Sequence, residues 1–185
     1  MASSYLKNII GSFHPIFKSF YRLLFNLVAT ALLIPIGYVF YFLPSEYVFT
    51  SSTTYDIIGG ILALAGVYIL FVGFKNYRAD EFIGTYQIRH HHDFHPTKLS
   101  RNGWNGIVRH PLYFAGILLA VGLCLIFPTI KLVLTTAIVI AYLYVGSLWE
   151  EKKLRQEFGN IYNDYKQEVS MLLPVKWLKR KFLKQ

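Results

Sequence analysis

Residues 130–149 read IKLVLTTAIVIAYLYVGSLW, twenty positions carrying one charge, Lys131, and they run straight into Glu150-Glu151. About 20 apolar residues, with a range of roughly 17–25, let an α-helix cross the hydrocarbon of a bilayer. Outward from this stretch lie three more apolar runs. Leu112–Phe127 precedes it with 16 positions, Ile57–Phe74 holds 18 with no charge, and Tyr21–Phe42 holds 22 with none after Arg22. A buried core helix of a soluble protein explains one such run, not four. The 16-residue run is short for a crossing. It is expected to begin before His110 or to form a tight hairpin with the next run through Pro128-Thr129. In the first run, Pro35 and Gly37 permit a kink.

Composition agrees. Of the 185 residues, 54% are hydrophobic and 16% charged, against about a quarter charged in a soluble domain. The net charge of +9 is compatible with nucleic acid or with an anionic membrane surface, and position decides between them. Eighteen of the nineteen Lys and Arg residues fall in segments on one side of the four runs, and Lys131 is the exception. The positive-inside rule then places both termini in the cytoplasm. The expected architecture is all-α. It is a polytopic membrane helical bundle of four, or five, transmembrane helices with a cytoplasmic loop and a C-terminal amphipathic helix. Membrane lipid is the expected partner, with no nucleic acid and no obligate protein partner evident.

Cys124, alone and inside an apolar run, excludes a disulfide framework and a CxxC metal site. Met1 to Ser19 does not read as a cleavable signal peptide, because its apolar run is short and no small-residue cleavage site follows. Phe13, Ile16, Phe17 and Phe20 at helical spacing, with Lys7 and Lys18 near, suggest an interfacial helix or part of a tilted first span. Two regions are expected. Residues 1–96 hold this helix, two spans and a cytoplasmic His-rich loop, and residues 97–185 hold a loop, a helical hairpin and a C-terminal helix, the part whose motifs are read below.

The loop between the second and third runs carries His90, His91, His92 and His95. Imidazole is the commonest metal ligand, and short His-rich tracts do bind metals. Membrane di-iron enzymes fill two coordination spheres from several such boxes, whereas only His14 and His110 remain elsewhere in this chain. A solvated or headgroup-contacting loop is the preferred reading, and no metal site is assigned.

Beyond the loop, Arg109 and His110 precede the third run, while Glu150 and Glu151 close the fourth. Ionisable groups at the ends of membrane helices are functional candidates by default. Arg109 snorkelling to the interface and a Glu pair opening a solvated helix are the plainer alternatives. Past Glu151, Leu154, Phe158, Ile161 and Tyr165 step by four, three and four, which predicts an amphipathic helix on the membrane or on the loop.

The string Gly103-x5-Arg109-His110-Pro111-x-Tyr113-x2-Gly116, followed by Glu150-Glu151-x2-Leu154-x3-Phe158-Gly159-x2-Tyr162-x2-Tyr165, is similar to the isoprenylcysteine carboxyl methyltransferase superfamily. That group includes the phospholipid methyltransferases, NnrU-like proteins and methanethiol S-methyltransferases, and the likeness covers residues 97–174. It implies an S-adenosylmethionine site without a Rossmann domain, and the chain indeed has no GxGxxG motif. By position, the resemblance implies cofactor contacts from Thr97, Lys98, Leu99, Ser100, Asn105, His110, Pro111, Leu112, Tyr113 and Glu150, with Glu150 and Arg109 as catalytic residues. The family commonly has Tyr where this chain has Asn105.

These residue types suit that cofactor. Arg109 or His110 can bind its carboxylate, while Glu150 and the face of Tyr113 can meet its sulfonium cation. The implied acceptor is small or lipophilic and reacts through a thiol, carboxylate or amine. Carboxyl methyltransferases of the superfamily carry Arg four residues before the first Glu, where this chain has Gly146. The ending Val169–Pro174 is closer to the small-thiol and NnrU-like branches. An NADPH-dependent membrane reductase of the sterol type, holding a 2′-phosphate with Lys152, Lys153 and Arg155, is the alternative enzyme class. A non-catalytic carrier or scaffold leaves the ionisable cluster unexplained.

Overall fold

The computed structural model describes residues 27–49, 52–76 and 99–183. The segment expected to form an N-terminal interfacial helix, the His90–His95 cluster, Thr97 and Lys98 lie outside the described residues. Within them the chain is helical, with no strand and only two isolated backbone bridges. The first helix among the described residues, α1, is Leu27–Phe42. Then come α2 (Thr53–Asn76), a 3-10 turn at Gly103–Gly106, α3 (Pro111–Ile126) and α4 (Ile130–Phe158). Two short helices, α5 (Asn160–Glu168) and α6 (Val175–Phe182), complete the fold.

Two helices, Thr53–Lys75 and Ile130–Phe158, are long and apolar enough to cross a membrane, and Leu27–Phe42 and Pro111–Ile126 are shorter apolar helices. Their outward side chains, such as Ile34, Tyr41, Leu64 and Phe71, stand exposed. Contiguous apolar exposure on this scale suits lipid rather than water.

Helices α2 and α3 pack backbone to backbone. Gly59, Gly66 and Gly73 recur every seventh residue along α2 and face α3. A methyl built on Gly66 sits 2.7 Å from the Ala115 carbonyl oxygen, and one on Gly59 sits 2.6 Å from that of Gly122. Gly73 gives its space to the Leu112 side chain. In a bilayer no hydrophobic drive joins helices, so close van der Waals approach through small residues holds them.

The 16-residue run forms the expected hairpin and does not begin before His110. Proline lacks an N–H and its fixed φ suits a first helical turn, so Pro111 starts α3. Thr129 caps α4, its Oγ1 accepting from the Leu132 N–H at 3.3 Å. The Thr136 hydroxyl donates to the Ala120 carbonyl across the pair at 3.2 Å. Beside this turn lies the α1–α2 connection. The Val48 N–H donates to the Pro128 carbonyl (2.8 Å), the Ile130 N–H to that of Glu46 (3.1 Å), and the Lys131 ammonium to that of Phe40 (2.8 Å).

One expectation fails in detail. The helix anticipated from Leu154 through Tyr165 is broken at Gly159, whose φ of 53° is a left-handed conformation that glycine adopts without a Cβ clash. The break turns α5, so that Ile161 is exposed and Tyr162 is fully buried in its place. Two apolar clusters support this end of the molecule. Ile69, Val108, Phe114 and Ala115 form one, and Tyr162, Tyr165 and Val169 with Leu99, Leu154 and Phe158 form the other.

Candidate active site

The segment Val108–His110 leaves the 3-10 turn and leads into α3 without being helical itself. Before it, the 3-10 turn closes with the Ile107 and Val108 N–H groups on the Trp104 carbonyl, each at 3.0 Å. After it, Pro111 disfavours a helical residue at His110, which sits at φ −122°, ψ 73°. The C-terminal tail then comes alongside in parallel. The Arg109 N–H donates to the Ser170 carbonyl at 2.9 Å, and the His110 N–H to that of Met171 at 3.2 Å.

Side chains meet where this segment passes the end of α4. The Arg109 Nε lies 2.6 Å from Glu151 Oε1, and both side chains are 7% exposed. Arg109 Nη1 donates to the carbonyls of Val169 (2.6 Å) and Lys166 (3.3 Å). Glu151 Oε2 meets Lys166 Nζ at 2.9 Å, and the Tyr162 hydroxyl donates to Oε1 at 3.1 Å. One buried carboxylate is thus surrounded by two cations and a phenol. A buried ion survives desolvation only when its lone pairs are filled in this way.

Glu150, one position earlier, is placed differently. Its side chain is 29% exposed, and Oε2 lies 3.3 Å from His110 Nδ1. The other nitrogen, Nε2, is 3.6 Å from Glu151 Oε1, an ion-pair distance too long for a hydrogen bond. This buried Nε2 has no hydrogen-bond partner among the described residues. The Tyr113 ring stacks on the imidazole, centroids 5.5 Å apart and planes 13° from parallel. Burial opposes a charge on His110, but Glu150 and Glu151 outweigh it and raise its pKa above the ordinary 6.5. Burial, then the Glu151 charge, raises the Tyr162 phenol and keeps it a donor.

Arg109, His110, Tyr113 and Glu150 therefore come together, with Glu151 beneath them. The other described residues named from the sequence have contacts of their own. Asn105 Nδ2 donates to Ser100 Oγ at 3.3 Å, the Tyr165 hydroxyl donates to the Asn105 carbonyl at 2.6 Å, and Leu99 packs on the Tyr162–Tyr165 cluster. Pro111 is buried at the start of α3. Leu112 packs against Gly73 of α2. Of the three cations offered for an NADPH phosphate, Lys153 pairs with Glu157 at 3.9 Å.

Sequence reasoning gave no role to Tyr162 or Lys166. Their signal was present: they are four residues apart, hence on one face of α5. Only the turn at Gly159 directs that face at Glu151.

A membrane-type helical bundle with an ionisable cluster at one end is the class defined so far. A family model described as phospholipid methyltransferase matches residues 54–161, more than half of the chain. The chain belongs to this family, within the isoprenylcysteine/phospholipid methyltransferase superfamily of membrane methyltransferases. The match lends the reductase alternative no support. No curated protein and no solved structure gives a significant match.

Proposed function

We propose that this protein is an S-adenosylmethionine-dependent methyltransferase that acts at the cytoplasmic membrane face on a small or lipid-like thiol, carboxylate or amine. It crosses the membrane four times, or five with the N-terminal segment, and both termini are cytoplasmic. The observation that carries the reading is the division of labour between adjacent carboxylates. Glu151 is consumed in holding the tail, while Glu150 is left partly exposed beside His110 and Tyr113.

The donor set fits the cofactor. The buried, unpartnered His110 Nε2 offers a donor for a carboxylate, and Glu150 with the Tyr113 face offers an anion and a π-surface for a cation. S-adenosylmethionine, when bound, supplies an electrophilic methyl group on a sulfonium. The protein's share is alignment and exclusion of water, since in-line displacement depends chiefly on geometry. His110 and Glu150 are the binding and orienting residues. Arg109 acts through Glu151, fixing the segment that carries His110 and so positioning it.

The test is transfer of isotopically labelled methyl from S-adenosylmethionine into membrane lipid and into a panel of small thiols, carboxylates and amines. Label in one acceptor class with wild-type protein, and none with Glu150→Gln, is the expected result. Equal transfer by that variant overturns the assigned site.

A further inference from the structure

The charge at the C-terminal end serves more than topology. Helix α6, sequence VKWLKRKF, carries Lys176, Lys179, Arg180 and Lys181, and no Asp or Glu follows Glu168 in the chain. Two of the four cations face the protein. Lys176 Nζ donates to the Lys166 (2.7 Å) and Gln167 (2.9 Å) carbonyls at the end of α5, and Arg180 Nη2 donates to the Gly106 carbonyl at 3.4 Å. The opposite side of the helix carries Val175, Leu178 and Phe182 at spacings of three and four. All three are exposed, Phe182 to 66%.

Lys179 and Lys181 border that apolar stripe. Lys181 Nζ lies 4.8 Å from the Trp177 ring and 5.8 Å from that of Phe182. A short helix with apolar side chains on one face, flanking cations and an aromatic–lysine pair has the composition of one lying in a headgroup layer.

We infer that α6 is an interfacial anchor whose exposed face docks on the anionic leaflet of the surrounding bilayer, Lys179 and Lys181 meeting lipid phosphates while Val175, Leu178 and Phe182 enter the acyl boundary. Charge complementarity selects this occupant, because a stripe edged only by cations favours an anionic surface over a neutral one. The anchor bears on the active site through Lys176. That residue and Arg109 both bond the Lys166 carbonyl, so docking of α6 fixes the same end of α5 that supplies Lys166 to Glu151. The inference requires a membrane-embedded chain and is independent of methyl transfer.

The experiment uses the full chain with Cys124→Ala and Leu178→Cys, labelled with an environment-sensitive fluorophore and placed in nanodiscs. One set is phosphatidylcholine and the other contains phosphatidylglycerol. Blue-shifted emission, shielded from an aqueous quencher in the anionic discs and reversed by high salt, is expected. Lys179→Gln with Lys181→Gln should lower the ratio of docked to undocked helix by roughly 25-fold, at about fivefold per cation. Phe182→Ser should weaken docking in both disc types. Emission that is water-like in both, or equal in both and unmoved by salt and by the lysine changes, overturns the inference.

Discussion

Arg109 and Glu151, 42 positions apart, form a buried ion pair at 2.6 Å that ties the segment before α3 to the end of α4. The same guanidinium holds the Val169 carbonyl, so three stretches of chain converge on one side chain. The pair is first a structural lock, and His110 lies beside it, 3.3 Å from Glu150.

Removing one partner of a buried pair leaves the other charged and unpaired, at a cost of about 3–5 kcal/mol. Arg109→Met is therefore expected to lower thermal stability in detergent sharply. Adding Glu151→Gln to it should cost much less than a second full loss, and a double-mutant cycle reads this coupling. Additive losses would show that the two residues act independently.

Glu150→Gln should behave oppositely. Its side chain is partly exposed, so the fold should melt within a few degrees of wild type while cofactor affinity falls. Parallel melting and ligand titration of the same preparation separates the two effects. A large loss of stability would place Glu150 in the lock instead.

The pH dependence follows from His110. Its folded pKa is raised, so its contribution to stability is complete below about pH 6.5 and is lost as pH rises through the higher folded value. Wild-type melting temperature should fall over that interval, and His110→Gln should flatten the profile there. An identical slope in the variant would contradict the assigned partners.

Two glycines on α2 make a paired test of the bundle. Gly66→Ala drives a methyl to 2.7 Å from the Ala115 carbonyl and is expected to destabilise by about 1–3 kcal/mol. At Gly60 a Cβ meets nothing within 4 Å, so Gly60→Ala should be neutral or stabilising by about 0.5–1 kcal/mol through helix propensity. Reversed effects would mean that α2 faces α3 with another side.

Much of this architecture was legible because lipid imposes a coarse requirement. Long apolar runs can be read without knowing any contact, and the hairpin through Pro128-Thr129 was visible in its turn residues. The glycine stripe was also there to be read, at sevens, but in a helix that is apolar all round no polar face drew attention to it.

The site was legible to the level of its residue types and no further. Adjacent helical residues point about 100° apart, so Glu150 and Glu151 had to play different parts. Which one turns inward follows from the partners that meet it, Arg109 before α3 and Lys166 and Tyr162 on α5, beyond the reversal at Gly159. That reversal also exchanges Ile161 for Tyr162 in the core, which a regular helical period cannot anticipate.

The central claim is the cofactor, and binding tests it most directly. Calorimetric titration of the detergent-purified protein with S-adenosylhomocysteine should show saturable one-site binding, lost or strongly weakened in a Glu150→Gln protein of matched melting temperature. A folded wild-type protein that gives no binding heat at any ligand concentration, or a Glu150→Gln variant that binds as tightly as wild type, would contradict the account.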